Sequence, residues 1–285
     1  MCALPISKQI AYAYRQSGQL SRAAGEYERI AAQSEDPVLR AEAMLVAGDL
    51  YQQSNVRDRA LDVYLRYVNE FPKPVETALE TRSKIAEMYK SAHDGPLYHK
   101  ELERIVRIDA DAGSARTART RTLAGRSALV LAEEIFQDFV NVKLLQPFEA
   151  SLQKKQQRMD VTIEAMSRLV DYEIAEVTAA ATYYMAETYF DFSRKLAESE
   201  RPTNLKPAEL QAFELELDEA AFPFEEKAID VHEKNMELLQ AGVFNAWTEK
   251  SLAKLAELKP GRYAKREMSS GALGAPDRYV YRTPV

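Results

Sequence analysis

Three histidines, one cysteine and an arginine-rich run hold most of the side-chain chemistry in this 285-residue chain. The histidines are His93, His99 and His232. A helical zinc hydrolase site needs two histidines four residues apart with a glutamate beside the first. The segment VHEKNM, starting at Val231, supplies only the first half of that arrangement. Glu225, Glu226, Asp230 and His232 offer oxygen and nitrogen donors in one segment and form a weak candidate metal set; helical surfaces often carry such sets as solvated charge. Cys2, the one cysteine, has no partner for an intrachain disulfide, and its place at the terminus makes it a poor nucleophile. No phosphate-cradling glycine loop, nucleophile elbow or CxxC motif is present. No catalytic residue, cofactor or metal is therefore assigned, and a metal-dependent enzyme ranks third among the readings.

The run SARTARTRTLAGR contains Arg116, Arg119, Arg121 and Arg126, with no acidic residue from Ala112 through Ala132. Such a basic patch could hold a phosphate, an acidic peptide or a nucleic-acid backbone. It could equally face the acidic stretch ELQAFELELDE, residues 209–219, in the same fold or in another copy. Nucleic acid is disfavoured, because no aromatic residues interleave with the arginines and the formal net charge is −6. A protein contact is preferred.

The elements that must position these residues are helices. Ala, Leu, Glu, Gln and Arg recur throughout, long β-branched runs are missing, and no stretch approaches 18 uncharged apolar residues. Tyr14, Tyr51 and Tyr89 are separated by 37 and 38 residues. Nine residues beyond each lie Ala23, Ala60 and Tyr98; thirteen beyond lie Tyr27, Tyr64 and Leu102; sixteen beyond lie Ile30, Tyr67 and Ile105. Three copies in register imply three helical hairpins. Small residues at 48 and 60 allow close backbone approach, tyrosines fill the space that remains, and Gly18 and Asn55 turn the chain. Each pair has an apolar face that it cannot bury alone, so neighbouring pairs stack into a solenoid.

On these residues the chain resembles the tetratricopeptide (TPR) repeat family. Met44, Ala47-Gly48, Tyr51, Ala60, Tyr64 and Pro72 supply most of the family pattern; Ile10-Ala11, Tyr14, Ala23, Tyr27 and Pro37 supply it in the first copy, and Ile85-Ala86, Tyr89 and Leu102 in the third. Tyr98 departs from the pattern, standing where a small residue is usual, and the periods exceed the family's 34 residues. The resemblance implies an all-α superhelix whose first helices line a concave groove for a peptide or partner helix. Transferred position by position, the groove comprises Lys8, Tyr12, Arg15 and Gln16, then Leu45, Asp49, Gln52 and Gln53, then Ser83, Glu87 and Lys90. The paired asparagines of the carboxylate-clamp subfamily are missing.

Residues 1–111 thus form three repeats. Residues 112–204 form a long-helix region, because 148–200 contain no Gly or Pro and Met159, Ile163, Met166, Val170, Ile174, Val177, Ala181 and Tyr184 step by three or four. Uninterrupted, such a helix reaches about 75 Å, and it is expected to brace the solenoid; Asp171-Tyr172 is the place where it could break. Residues 205–260 hold degenerate terminal hairpins. Within them Leu239, Leu252, Leu255 and Pro260 repeat the offsets of Tyr51, Tyr64, Tyr67 and Pro72, and Trp247 is a buried anchor. Residues 261–285 read as an irregular tail. YYMAETYFDF, AAFPFEEKAIDVHEKN and LAELKPGRY also look like bacterial cell-envelope TPR proteins, including some linked with gliding motility. That likeness tilts the expected location toward the periplasm or envelope, with the cytoplasm as the alternative. The expected function is a non-catalytic protein–protein interaction module or scaffold that binds a protein or peptide. A structural oligomerisation subunit is the second reading.

Overall fold

A computed structural model describes residues 3–202 and 205–264. Cys2 and most of the expected tail, including Tyr279 and Tyr281, lie outside the described residues. Six helices make three antiparallel pairs: α1 (Ala3–Gln16) with α2 (Leu20–Gln33), α3 (Pro37–Gln53) with α4 (Arg57–Glu70), and α5 (Val75–Ser91) with α6 (Gly95–Ala110). They are followed by α7 (Ala118–Val140), α8 (Phe148–Val170), α9 (Ala175–Ala197), α10 (Pro207–Gln240), α11 (Ala246–Leu258) and the single turn α12 (Pro260–Tyr263). The first helices α5, α7, α9 and α11 touch in succession, whereas the second helices α2, α4, α6 and α8 do not pack on one another. From α5 to α11 the array therefore curves with its first helices on the inside.

The turns within the three pairs share one solution. Gly18 (φ 72°), Asn55 (φ 59°) and His93 (φ 57°) occupy equivalent positions, all in the left-handed region. Glycine adopts it freely and asparagine tolerates it. Asp36 and Asp94 cap α3 and α6 by accepting hydrogen bonds from Val38 N (2.9 Å) and Leu97 N (3.1 Å).

Packing between paired helices follows a size exchange that the repeat register makes visible. A Cβ added at Gly48 would lie 2.4 Å from Tyr64 Cε1, so the fully buried Tyr64 ring occupies the space that a larger residue at 48 would need. In the third pair the equivalent positions are Ala86 and Leu102, both buried: the methyl group returns where the ring is lost. Burying a side chain of this size contributes on the order of 2 kcal/mol. Tyr51, Tyr64, Tyr67, Ile30 and Ile85 share one continuous core across the first two pairs and into α5.

Beyond α6 the expected brace is replaced by further hairpins. Residues 148–200 form two 23-residue helices, α8 and α9, separated by a turn at 171–174. The apolar stepping continues through the break because both helices bury a stripe in one core with α7. No Gly or Pro is needed, since Glu173 itself takes the left-handed conformation (φ 54°). Tyr172 and Ile174 press the turn onto Gly125 of α7, where an added Cβ would meet Ile174 Cδ1 at 3.0 Å and Tyr172 Cγ at 3.1 Å. The terminal hairpin also differs from expectation. It is preceded by no separate helix, because α10 runs unbroken for 34 residues through the exposed Pro223. Gly242 (φ 87°) then turns the chain into α11, where Leu255 is buried but Leu252 is 39% exposed.

Two buried polar sites fix the long helices. Lys155 of α8 is fully buried; its Nζ donates to Asp191 Oδ2 of α9 (2.7 Å) and to the Phe139 carbonyl of α7 (3.1 Å), and lies 4.0 Å from the Phe139 ring centroid. Burial holds this amine below the ordinary lysine value, although Asp191 opposes the shift. Asn235 of α10 donates to the Ala179 carbonyl of α9 (3.0 Å) and to Ser251 Oγ of α11 (2.8 Å), with His232 Nδ1 3.2 Å from the same hydroxyl.

Candidate protein-interaction face

The residues transferred from the repeat register form equivalent rows on successive first helices. Lys8, Tyr12, Arg15 and Gln16 are exposed on α1, with Tyr12 at 64%. On α3, Gln52 and Gln53 are exposed while Leu45 and Asp49 are half-buried; on α5, Glu87 and Lys90 are exposed and Ser83 half-buried. Asp49 is engaged inside the fold, accepting a hydrogen bond from the Tyr64 hydroxyl and pairing with Lys84 Nζ at 2.5 Å. It therefore ties the second pair to the third. Gln52 Oε1 is the second acceptor for the same hydroxyl, at 3.1 Å.

Between α5, α6 and α7 this face opens into a pocket of about 220 Å³. Leu102 and Ile105 of α6, Leu123 and Val130 of α7, and Ala86 make its apolar floor and walls. Ser83, Glu87, Lys90, Arg126 and Ser127 form the polar rim. Tyr98, the departure from the small-residue pattern, also lines it, with Lys90 Nζ 5.7 Å from its ring centroid. Burial is the main cause that raises the Tyr98 hydroxyl above its ordinary value; Lys90 opposes this, and Glu87, Glu133 and Glu134 add to it. Three groove positions and one residue of the arginine run thus converge on one pocket, a grouping that the sequence did not bring together.

The four arginines do not form a free patch. Arg116 Nε pairs with buried Asp109 (2.8 Å), Arg119 Nε with Glu80 (2.8 Å), Arg121 Nη1 with Glu173 (2.9 Å) and Arg126 Nη2 with Glu176 (2.8 Å). Their partners lie on α6, α5, the α8–α9 turn and α9, so the run fastens α7 to its neighbours. None of these pairs reaches the acidic stretch at 209–219.

A second carboxylate centre lies where α2, α3 and α4 meet. Glu28 of α2 accepts from the Tyr51 hydroxyl (2.7 Å), Arg59 Nη2 (2.9 Å) and Arg66 Nη2 (2.5 Å). Burial would raise its carboxyl, but these donors and charges outweigh burial and hold it below the ordinary glutamate value.

The candidate metal set does not converge. His232 is fully buried, with Nε2 3.3 Å from Glu187 Oε1 of α9, whereas Asp230 and Glu226 are exposed. Among the described residues no group of three His, Cys, Asp or Glu side chains is placed to hold a metal ion. Trp247 is half-buried rather than buried. It packs at a tilt against Tyr184 (5.1 Å) and Tyr183 (5.6 Å), with Lys250 Nζ 4.0 Å from its ring centroid. Among the described residues no helix is long and apolar enough to cross a membrane.

With this geometry in place, the described residues form an all-α array of helix hairpins. No protein-family model matches it, and no curated protein matches it. Among solved structures it is similar to a Podosopora anserina kinesin light chain protein with nearly identical TPR-like repeats: 16% identity, 77% of this chain and 94% of that one covered, TM-score 0.34. It is also similar to a protein from a computational design of self-assembling cyclic homooligomers: 16% identity, 89% and 84% covered, TM-score 0.27. Similarity at this level carries no information about what this chain binds; the architecture rests on its own helix pairs.

Proposed function

We propose that the chain is a non-catalytic protein-binding module that takes a partner segment along the inner face of its first helices. The observation that carries this reading is the pocket between α5, α6 and α7. Its 220 Å³ suits one leucine- or phenylalanine-sized side chain, and its rim offers both charges and hydroxyls to the flanking backbone. The exposed rows on α1 and α3 extend the same surface toward the amino end. Affinity capture from the source organism with the full-length protein tests the reading. Lys90→Glu with Ser83→Leu should remove captured partners, whereas Arg119→Gln with Arg121→Gln should not. Unchanged capture by the first variant would sink it.

A structural oligomer is the second reading, favoured by Leu215 and Phe222, which lie seven residues apart on α10 and are 61% and 58% exposed. Sedimentation of the pure chain separates the two: a stable oligomer whose contacts cover the inner face leaves no groove for a partner. Placement in a bacterial envelope assembly is a further part of the proposal. It rests on the likeness of YYMAETYFDF and the following segments, and fractionation of the source cells tests it.

A further inference from the structure

The conspicuous arginines are ion-paired, yet free cations gather in a different place. The loop between α7 and α8 and the first turns of α8 enclose a cleft of about 660 Å³. Lys143 of the loop and Lys154 and Arg158 of α8 line it, and all three are exposed. Among the described residues none of the three makes an ion pair or a side-chain hydrogen bond, in contrast to Arg116, Arg119, Arg121 and Arg126. One carboxylate, Asp138 on the last turns of α7, shares the cleft; three cations against one anion leave two positive charges in excess. Val142 and Leu145, the latter 51% exposed, add an apolar wall beside them.

We propose that this cleft is a second docking site, outside the inner face, for an extended acidic peptide segment of a partner protein. Lys154 and Arg158 are one helical turn apart, about 6 Å along α8. Alternate side chains of an extended chain lie about 6.6 Å apart on one side, so two carboxylates flanking a single residue match the two cations. A following apolar residue then reaches Val142 and Leu145. A single phosphate is the poorer fit, because it needs cations that converge on a point, and these are spread along a helix. The interaction is charge-led and salt-sensitive.

The test is fluorescence anisotropy with a labelled peptide in which two glutamates flank a serine and a leucine follows. The wild-type chain should bind it saturably at low salt. Lys154→Glu with Arg158→Glu should weaken binding roughly tenfold, and Lys143→Gln in the loop should weaken it by a smaller factor. Both sites are exposed and unpaired, so circular dichroism should stay unchanged. A peptide with glutamine in place of glutamate should lose binding, while Arg119→Gln with Arg121→Gln should not affect it. No saturable binding, equal binding of the glutamine peptide, or indifference to both variants overturns the inference. So does displacement of the peptide by inorganic phosphate beyond that by sodium chloride at the same ionic strength, or by vesicles containing phosphatidylserine. Loss of binding in Lys90→Glu would place the peptide in the inner pocket, ending this inference and leaving the proposed inner-face function standing.

Discussion

The first two hairpins and the long helices after α6 are held together by different chemistry. In the first two hairpins the buried polar side chains among the described residues are only Ser7 and Ser34; after α6 they include Lys155, Asp191, His232 and Asn235. The amino-terminal pairs interlock by shape, with the Tyr64 ring against Gly48 in the second, and leave tyrosine hydroxyls at the edge to meet Glu28 and Asp49. The long helices lack that repeating size code and are fixed by buried polar contacts that must be satisfied in one register. Apolar shape sets the short pairs, and polar satisfaction sets the long ones.

That contrast breaks most visibly at Lys155. Lys155→Met leaves Asp191 buried beside only Arg194 (3.0 Å), and a loss of about 3–5 kcal/mol is expected in urea unfolding. Lys155→Met combined with Asp191→Leu should recover most of it, because the charge itself is then gone. A loss below about 1 kcal/mol for the single variant would show that the pair does not fix α8 on α9.

Next in size is the shape code. Gly48→Ala forces a Cβ onto the Tyr64 ring and should cost about 1–3 kcal/mol. Adding Tyr64→Leu reproduces the Ala86–Leu102 combination of the third pair, and thermal unfolding should show partial recovery. A double variant worse than the sum of its parts would mean that the two pairs do not share one packing rule.

A smaller effect appears at alkaline pH, where Tyr64 and Lys155 act with opposite sign. Burial, then Asp49, raises the Tyr64 hydroxyl above the ordinary tyrosine value of about 10. Its contribution is full below about pH 10 and is lost as pH climbs toward the folded-state value, because the unfolded chain releases this proton first. Tyr183, pushed up to about 12 mainly by burial, acts in the same direction. Lys155 acts in the opposite one. Its amine is held low, so in the alkaline window below the ordinary lysine value the unfolded chain keeps a proton that the folded chain has released, and stability gains as pH rises. Tyr64→Phe should flatten the alkaline loss, and Lys155→Met should steepen it.

Smallest of all, Arg119→Gln with Arg121→Gln removes two exposed pairs and should cost under about 1 kcal/mol in each unfolding assay.

The same contrast explains what could be read from the sequence. Tyr14, Tyr51 and Tyr89 announced three hairpins because the copies keep one register; the size exchange is seen between the second and third pairs, while the first has Ala11 and Tyr27 at those positions. The turn at 171–174 falls at Asp171-Tyr172, where a break was allowed, but no glycine or proline marks it, since Glu173 carries the left-handed conformation and the apolar stripe continues on both sides of it. The inner rows at Lys8, Leu45 and Ser83 followed from register alone. The pocket did not, because Arg126, Leu123 and Val130 come from a helix outside that register. Charge was the least legible property: a run of arginines draws the eye, but whether each meets a carboxylate depends on residues about 7 to 52 positions away. Lys143, Lys154 and Arg158 are unremarkable in sequence and stand free in the fold.

The central claim is that the inner face receives a partner, and site-specific photocrosslinking in the source cells tests it most directly. A crosslinking residue is placed at Glu87, on the pocket rim, and in a second strain at exposed Val161 of α8. The account predicts a discrete crosslinked partner from position 87 and none of the same mass from 161. Crosslinks to the partner from 161 alone, or from 87 only to a second copy of this chain, would contradict it.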